Sequence, residues 1–287
     1  MAPLIARQKP EGGAGRATIV CALGDLLLDV VVRLDTPLNL GADATAQTRT
    51  GAGGQAANVA AWATELGEQG RLVAKRATDA AGELVAQELA AHGVEVFGPA
   101  VDGHNGVVVS IVAPSGERSM ASDRGVAPQL RSDELEMRWL GGANWLHVTG
   151  YALFRSPIDE AAAKAAGAVR GQGGRISVDL SSWSLIREFG AEKLVRRLEL
   201  LAPDVIFGNT EELQEIGGTF PSEEWVLKLG PDGIETSGGR KLPAPDADVV
   251  DTTGAGDALA AGYLVGGAEL GLEAAARCVA KIGTMPW

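Results

Sequence analysis

Six short apolar runs punctuate the chain: TIVCAL from Thr18, RLVAK from Arg71, WLHV from Trp145, RISVDL from Arg175, DVIF from Asp204 and WVLKL from Trp225. They are too short for core helices and lack the strict polar alternation of a half-exposed strand, so they predict strands covered on both faces. Between most of them lie alanine-rich stretches with helical character: AANVAAWATELG, which closes on Gly67 as a helix C-terminal glycine does, AGELVAQELAAHG and SPIDEAAAKAAGAVRGQGG. Buried strands alternating with helices predict an α/β fold, a doubly wound and mainly parallel sheet flanked by helices.

Two regions break the alternation. After Asp29 the stretch VVVRLDTPLNLGADATAQTRT is long, interrupted by polar residues and poor in helix signals. Later, GVVVSIVAPSGERSMASD has the pattern of a hairpin, with Pro114, Ser115 and Gly116 at its turn. Together, about residues 30–52 and 105–123, they predict a small β-sheet over one edge of the main body; a plain surface hairpin is the other reading of the second stretch.

With 287 residues, 46% of them hydrophobic, the chain suffices for one large domain, placed here at residues 17–287. The net charge of −12 gives no nucleic-acid or membrane footprint, so any bound phosphate must be held locally. Cys21 and Cys278 are too few and too isolated for a disulfide framework or a thiolate metal site, which fits a cytoplasmic protein. Residues 1–16 have no apolar signal segment and are expected to form a disordered tail.

The chemistry concentrates in VVDTTGAGDALAAGYL, residues 249–264. If VV ends a strand and ALAAGYL starts a helix, then Gly254, Ala255 and Gly256 sit at the helix N-terminus, where free N–H groups and the helix dipole favour an anion. Asp257, in the first turn, would stand beside that anion, where a carboxylate can take a proton from an attacking hydroxyl. Taken alone, the stretch is equally a turn whose acid complements the helix dipole. It is not a P-loop, because no Gly-Lys-Ser/Thr follows the glycines. Gly51, Gly53 and Ala56 match a dinucleotide fingerprint, but the preceding TRT is a poor strand and no acid follows at the expected distance. In GAGGQAANVAAWATELG, the Gly53-Gly54 pair before Asn58 offers close backbone approach and an amide for a hydroxyl, or simply a loop and a helix cap.

Asp251-Thr-Thr-Gly-Ala-Gly-Asp257 together with Gly53-Gly54-x-x-x-Asn58 resembles the paired motifs of the ribokinase-like (PfkB-type) carbohydrate kinases. The resemblance runs in order from residue 18 to residue 287 through GDLLLD, the glycine pair, the hairpin, NTEE, KLGPDG and DTTGAGD. It implies an ATP-dependent kinase acting on a sugar hydroxyl, with the small sheet as a water-excluding lid. By position it implies Asp257 as general base, Gly254, Ala255 and Gly256 as the anion hole, and Asp29, Gly53, Gly54 and Asn58 as the sugar-binding set. Asn209 and Glu212 match the family's N-x-x-E, with Glu212 organising Mg2+ through water. Lys228, Gly230 and Gly233 resemble the loop near the nucleotide, and Asp251 and Thr253 correspond to positions that help to hold K+ in relatives.

Departures qualify the resemblance. Leu27 stands where several relatives carry a polar residue, and Gln55 where ribokinases proper carry lysine, which points to another sugar or sugar derivative. The connection from KLGPDG to Asp251 is short and TMPW follows without the final helix of many relatives, so the adenine-side wall is expected to be differently built. Arg118, Asp123 and Arg124 in the hairpin either face the substrate, favouring an acidic group, or form a solvated surface. A nucleoside kinase of the same family and a non-catalytic sugar-binding relative are the alternatives, with a dinucleotide-dependent oxidoreductase third. Unpaired edges of the small sheet favour a homodimer through the lid.

Overall fold

The computed structural model of the chain describes residues 17–115 and 118–287. The predicted tail at residues 1–16, Gly116 of the predicted hairpin turn and the side chain of Arg118 lie outside the described residues.

A nine-stranded sheet forms the body. From one edge its strands run Lys241–Leu242, Ile234–Thr236, Glu224–Lys228, Val205–Asn209, Arg175–Asp179, Trp145–Thr149, Ile19–Leu23, Gln69–Val73 and Glu95–Phe97. Every neighbouring pair from Glu224–Lys228 to Glu95–Phe97 is parallel, and the two short edge strands beyond Lys228 are antiparallel. All six predicted apolar runs are in this sheet. Their lack of alternation has a simple cause: successive residues of one strand enter two different cores. Val20 and Ala22 join one core with the helices Gln55–Glu65, Ala255–Gly266 and Ala268–Val279, while Cys21 and Leu23 join the other with Ile158–Gly171 and Ala191–Leu201. Both cysteines are buried and free, packed as small hydrophobes. No helix among the described residues is long and apolar enough to cross a membrane.

A second sheet has four strands in the order Ala46–Gly53, Leu27–Leu34, Asn105–Val112 and Arg118–Gly125. Its two central strands are parallel and each outer strand is antiparallel to its neighbour. Leu27, Val108 and Ala127 make a small core of their own there, which accounts for the first strand starting at Leu27, ahead of the expected residue 30.

Close helix packing joins the two ends of the chain. A Cβ on Gly262 would lie 2.6 Å from the Leu270 carbonyl oxygen, and one on Gly271 would lie 2.8 Å from that of Leu259. Only glycine lets Ala255–Gly266 and Ala268–Val279 approach so closely. The Gln55–Glu65 helix, almost entirely buried and rich in alanine, packs on the same Ala255–Gly266 helix.

Candidate active site

Ligands of open α/β sheets bind outside the carboxyl ends of the parallel strands. Here those ends are in register: Thr149 pairs with Asp179, Asp179 with Phe207, and Asn209 with Lys228. The Ala255–Gly266 helix begins there. Gly254 caps it in the left-handed region at φ 77°, turning the chain so that the N–H groups of Gly256 and Asp257 have no acceptor within the helix. A Cβ on Gly256 would be 3.5 Å from the Lys228 Nζ, so an ammonium adds to the positive end of the helix dipole. Gly254, Ala255 and Gly256 are therefore beside a second positive group that sequence reading assigned to a separate loop.

Asp257 Oδ2 accepts a 2.7 Å hydrogen bond from Asn58 Nδ2, across 199 residues of chain. Burial pushes the Asp257 carboxyl up to about 7; the charge of Asp179 adds to this, while the Asn58 hydrogen bond, the Lys228 charge and a Gln55 hydrogen bond oppose it. Asn58 is itself 4% exposed, and its Oδ1 has no partner among the described residues. The pair thus presents a carboxyl able to exchange a proton near pH 7 and, separately, an unused buried acceptor for a second hydrogen-bond donor.

Behind this pair lies a buried charge network. Lys228 Nζ donates to Asp179 Oδ2 at 2.7 Å and stands 4.0 Å from Glu212 Oε2. Burial alone would lower the Lys228 ammonium, but the charges of Asp179 and Glu212 outweigh it and hold the group above its ordinary value. Burial raises the Glu212 carboxyl, with Lys228 partly offsetting it. Glu212 also closes a capping box with Asn209: Asn209 N–H donates to Glu212 Oε2 at 2.9 Å and Glu212 N–H donates to Asn209 Oδ1 at 2.8 Å. Lys228 points inward, whereas Gly230 (φ 60°) and Gly233 (φ 91°) shape the turn after its strand. Asp251 Oδ1 accepts from Thr253 N–H at 2.9 Å and from the Thr253 hydroxyl, and its Oδ2 accepts from Gly283 N–H at 3.1 Å. No group of three or more His, Cys, Asp or Glu residues among the described ones is arranged to hold a metal ion. The oxygen donors near Lys228 fit a hydrated magnesium ion better than direct ligation, since the ammonium already stands between Asp179 and Glu212.

The sugar-side candidates come together at the root of the small sheet. A Cβ on Gly53 would lie 2.1 Å from the Asp29 carboxyl carbon, so that carboxylate occupies the space a side chain would need. Gly54 (φ 97°) brings its backbone against Asp25, whose carbonyl oxygen would be 2.6 Å from an added Cβ. The segment after the last helix doubles back here. Thr284 Oγ1 donates to Asp29 Oδ2 at 3.5 Å, the Thr284 carbonyl accepts from Trp62 Nε1 at 2.9 Å, and Thr284 also walls off Gly254. Trp287 stacks on His92 with ring centroids 3.8 Å apart and donates from Nε1 to Glu88, which also binds the Ala52 N–H.

Sequence reasoning missed four residues. Asp25 forms an ion pair with Arg124, whose guanidinium carbon lies 3.6 Å above the Tyr151 ring. Asp179 is fully buried at the end of its strand, and the Ser181 N–H donates to it at 2.8 Å from a left-handed turn (φ 71°). His147, also fully buried, meets the Ser177 hydroxyl at 2.9 Å through Nδ1; its Nε2 has no partner among the described residues, and burial pushes the ring down to about 4. An acid or histidine in an otherwise apolar strand of a parallel sheet was the signal available.

Comparison with known proteins shows the family and the fold. The family model described as "pfkB family carbohydrate kinase" matches residues 17–285. The ATP-dependent ribose-1-phosphate kinase of Halopiger xanaduensis is 30% identical over 278 residues, 90% of each chain. The aminoimidazole riboside kinase of Salmonella typhimurium is 27% identical over 239 residues, 74% of this chain and 72% of that one. Among solved structures, adenosine kinase from Sinorhizobium meliloti superposes with a TM-score of 0.82 at 22% identity, covering 95% of this chain and 96% of that one. A putative ribokinase II from E. coli, in complex with ATP and Mg2+, gives a TM-score of 0.76 at 22% identity over 93% and 94% of the two chains. The fold is therefore ribokinase-like, as the motif order implied. With a family model spanning nearly all of the described chain and a relative 30% identical along most of its length, the chain belongs to the pfkB family of carbohydrate kinases.

Proposed function

We propose that this kinase transfers the γ-phosphoryl group of ATP to a hydroxyl of a sugar or sugar derivative, with Asp257 as the general base. The observation that carries the reading is the Asp257 carboxyl, pushed up to about 7 and held by Asn58 in the first turn of a helix with free N–H groups. A base near neutrality is unprotonated at working pH yet basic enough to accept a proton. In the step, Asp257 takes the proton of the acceptor hydroxyl, its oxygen bonds to the γ-phosphorus, and the bond from that phosphorus to the β–γ bridging oxygen breaks, releasing ADP. The N–H groups at this helix start, those of Gly256 and Asp257 foremost because the Ala255 N–H already donates to the Thr252 carbonyl at 3.4 Å, and the Lys228 ammonium stabilise charge on the transferring group beside Gly254 to Gly256. Asp29 and Asn58 orient the sugar, while Gly53 and Gly54 let the backbone and Asp29 approach it. Magnesium, held through water by Glu212, would supply charge neutralisation at the phosphates. Asp251 and Thr253 are the candidates for a K+ site, tested by exchanging K+ for Na+ in the assay.

The test is an ADP-release assay over a panel of sugars, sugar acids, sugar phosphates and nucleosides, repeated with Asp257→Asn. Turnover of the accepted substrate should fall about 10²- to 10⁴-fold, with its binding kept in calorimetry. Near-normal turnover in Asp257→Asn would remove the base assignment. A nucleoside acceptor is the second reading, favoured by the riboside named for the Salmonella relative. ATP release of phosphate to no panel member, combined with sugar binding, would favour a non-catalytic relative.

A further inference from the structure

Beside the candidate active site is a cavity of about 260 Å³ whose wall includes Arg124, Tyr151, Arg155, Glu188, Phe189 and Lys193. Two of these residues connect it to the site. Arg124 is fixed by its ion pair with the buried Asp25, which packs under Gly54, and by stacking on Tyr151 at 3.6 Å. Tyr151 is shared between the cavity and the base: burial raises its phenol, Arg124 lowers it, and the Asp257 and Asp179 charges raise it, so the ring lies within their field.

The cavity is also electrically distinct. The whole chain carries a net charge of −12, yet this wall has three cations against one carboxylate, Glu188. Asp25 matches the Arg124 charge, but Arg155 and Lys193 form no ion pair with any described residue. Their acidic neighbours are engaged elsewhere, Asp159 with Arg197 at 2.7 Å and Glu192 with Arg196 at 3.5 Å. Lys193 instead approaches the Phe189 ring at 5.9 Å. Uncommitted cations rimming a concave, aromatic-walled space are arranged to receive an anion, and the planar guanidinium fork suits the oxygens of a phosphate.

Resting on the kinase reading above, we infer that Arg124, Arg155 and Lys193 form a subsite for an anionic group already on the acceptor, so that the enzyme phosphorylates a sugar phosphate rather than a neutral sugar. The anion is held at the Tyr151 side while a distant hydroxyl of the same molecule meets Asp257. Arg124 sets the position and Arg155 and Lys193 supply the charge. Selectivity then comes from the anchored end of the substrate, and the reaction that supplies it must be one that leaves a phosphoryl group on a pentose- or hexose-sized sugar.

Calorimetry with ribose 1-phosphate, ribose 5-phosphate, gluconate and ribose tests this. At least one phosphate ester should bind ten-fold or more tightly than ribose, and Arg155→Gln with Lys193→Gln should abolish that preference, while the melting temperature stays unchanged because both side chains are exposed. Equal affinity for the esters and ribose, a preference for gluconate over both esters, or a preference that survives in the double variant would overturn the subsite. The ADP-release assay on the same compounds separates this from the parent reading. Release with ribose alone overturns the subsite and leaves the kinase, whereas ester-selective binding without ADP release overturns the kinase reading and leaves the subsite.

Discussion

Two aspartates within one another's field, Asp257 and Asp179, have opposite surroundings. Asp179 is fully buried, takes the Lys228 ammonium at 2.7 Å and accepts a backbone N–H from Ser181. Asp257 has amides for company, Asn58 and Gln55, and feels Lys228 only as a weaker, opposing charge. A carboxylate bonded to a buried ammonium and a backbone N–H holds structure together; one held by amides, with its carboxyl pushed up by burial, can exchange a proton. The same side chain is thereby divided between a support role and, in our reading, a chemical one.

The sharpest way to break the comparison is to neutralise each acid. Asp179→Asn takes from the buried Lys228 its 2.7 Å partner, leaving only Glu212 at 4.0 Å and the field of Asp257, and should cost about 3–5 kcal/mol of stability, read by denaturant unfolding. Asp257→Asn should act in the opposite direction at alkaline pH. A carboxyl raised from 3.8 to about 7 keeps a proton in the folded state that the unfolded chain has lost, so stability falls as pH rises through that window. Removing the group should raise the melting temperature at pH 8 and leave it nearly unchanged at pH 3; destabilisation by both substitutions would erase the distinction.

A second test uses activity. In wild-type enzyme kcat/KM should rise about tenfold per pH unit below a midpoint near 7 and level off above it. Asn58→Leu removes the largest interaction lowering the Asp257 carboxyl and should move that midpoint upward. Gln55→Met should move it in the same direction by less, because Gln55 contributes the smaller hydrogen-bond effect. A midpoint indifferent to both would mean that the amides do not control the proton.

Much of this was legible from the chain. The six apolar runs identified the central strands because each had to fill two cores, and DTTGAGD with GGxxxN named both halves of the Asn58–Asp257 contact. What was not legible depends on partners far apart in sequence. Asp25 reads as the first acid of GDLLLD until Arg124 arrives from a strand 99 residues later. Asp179 reads as a strand end until Lys228 reaches it, and Tyr151 as an ordinary aromatic until Arg124 stacks on it. Lys228 belonged by its neighbours to a glycine turn, but its long side chain carries the charge away from that turn and into the site.

The contact between Asp29 and Gly53 has an evolutionary consequence. With the carboxyl group filling the place of a β-carbon at 53, no single substitution at 53 can be accepted while the acid remains where it is. Change at these two positions is therefore coupled: a side chain at 53 turns the Asp29 carboxylate out of its present place, so lineages that keep the acid in this position should be the ones in which residue 53 stays glycine.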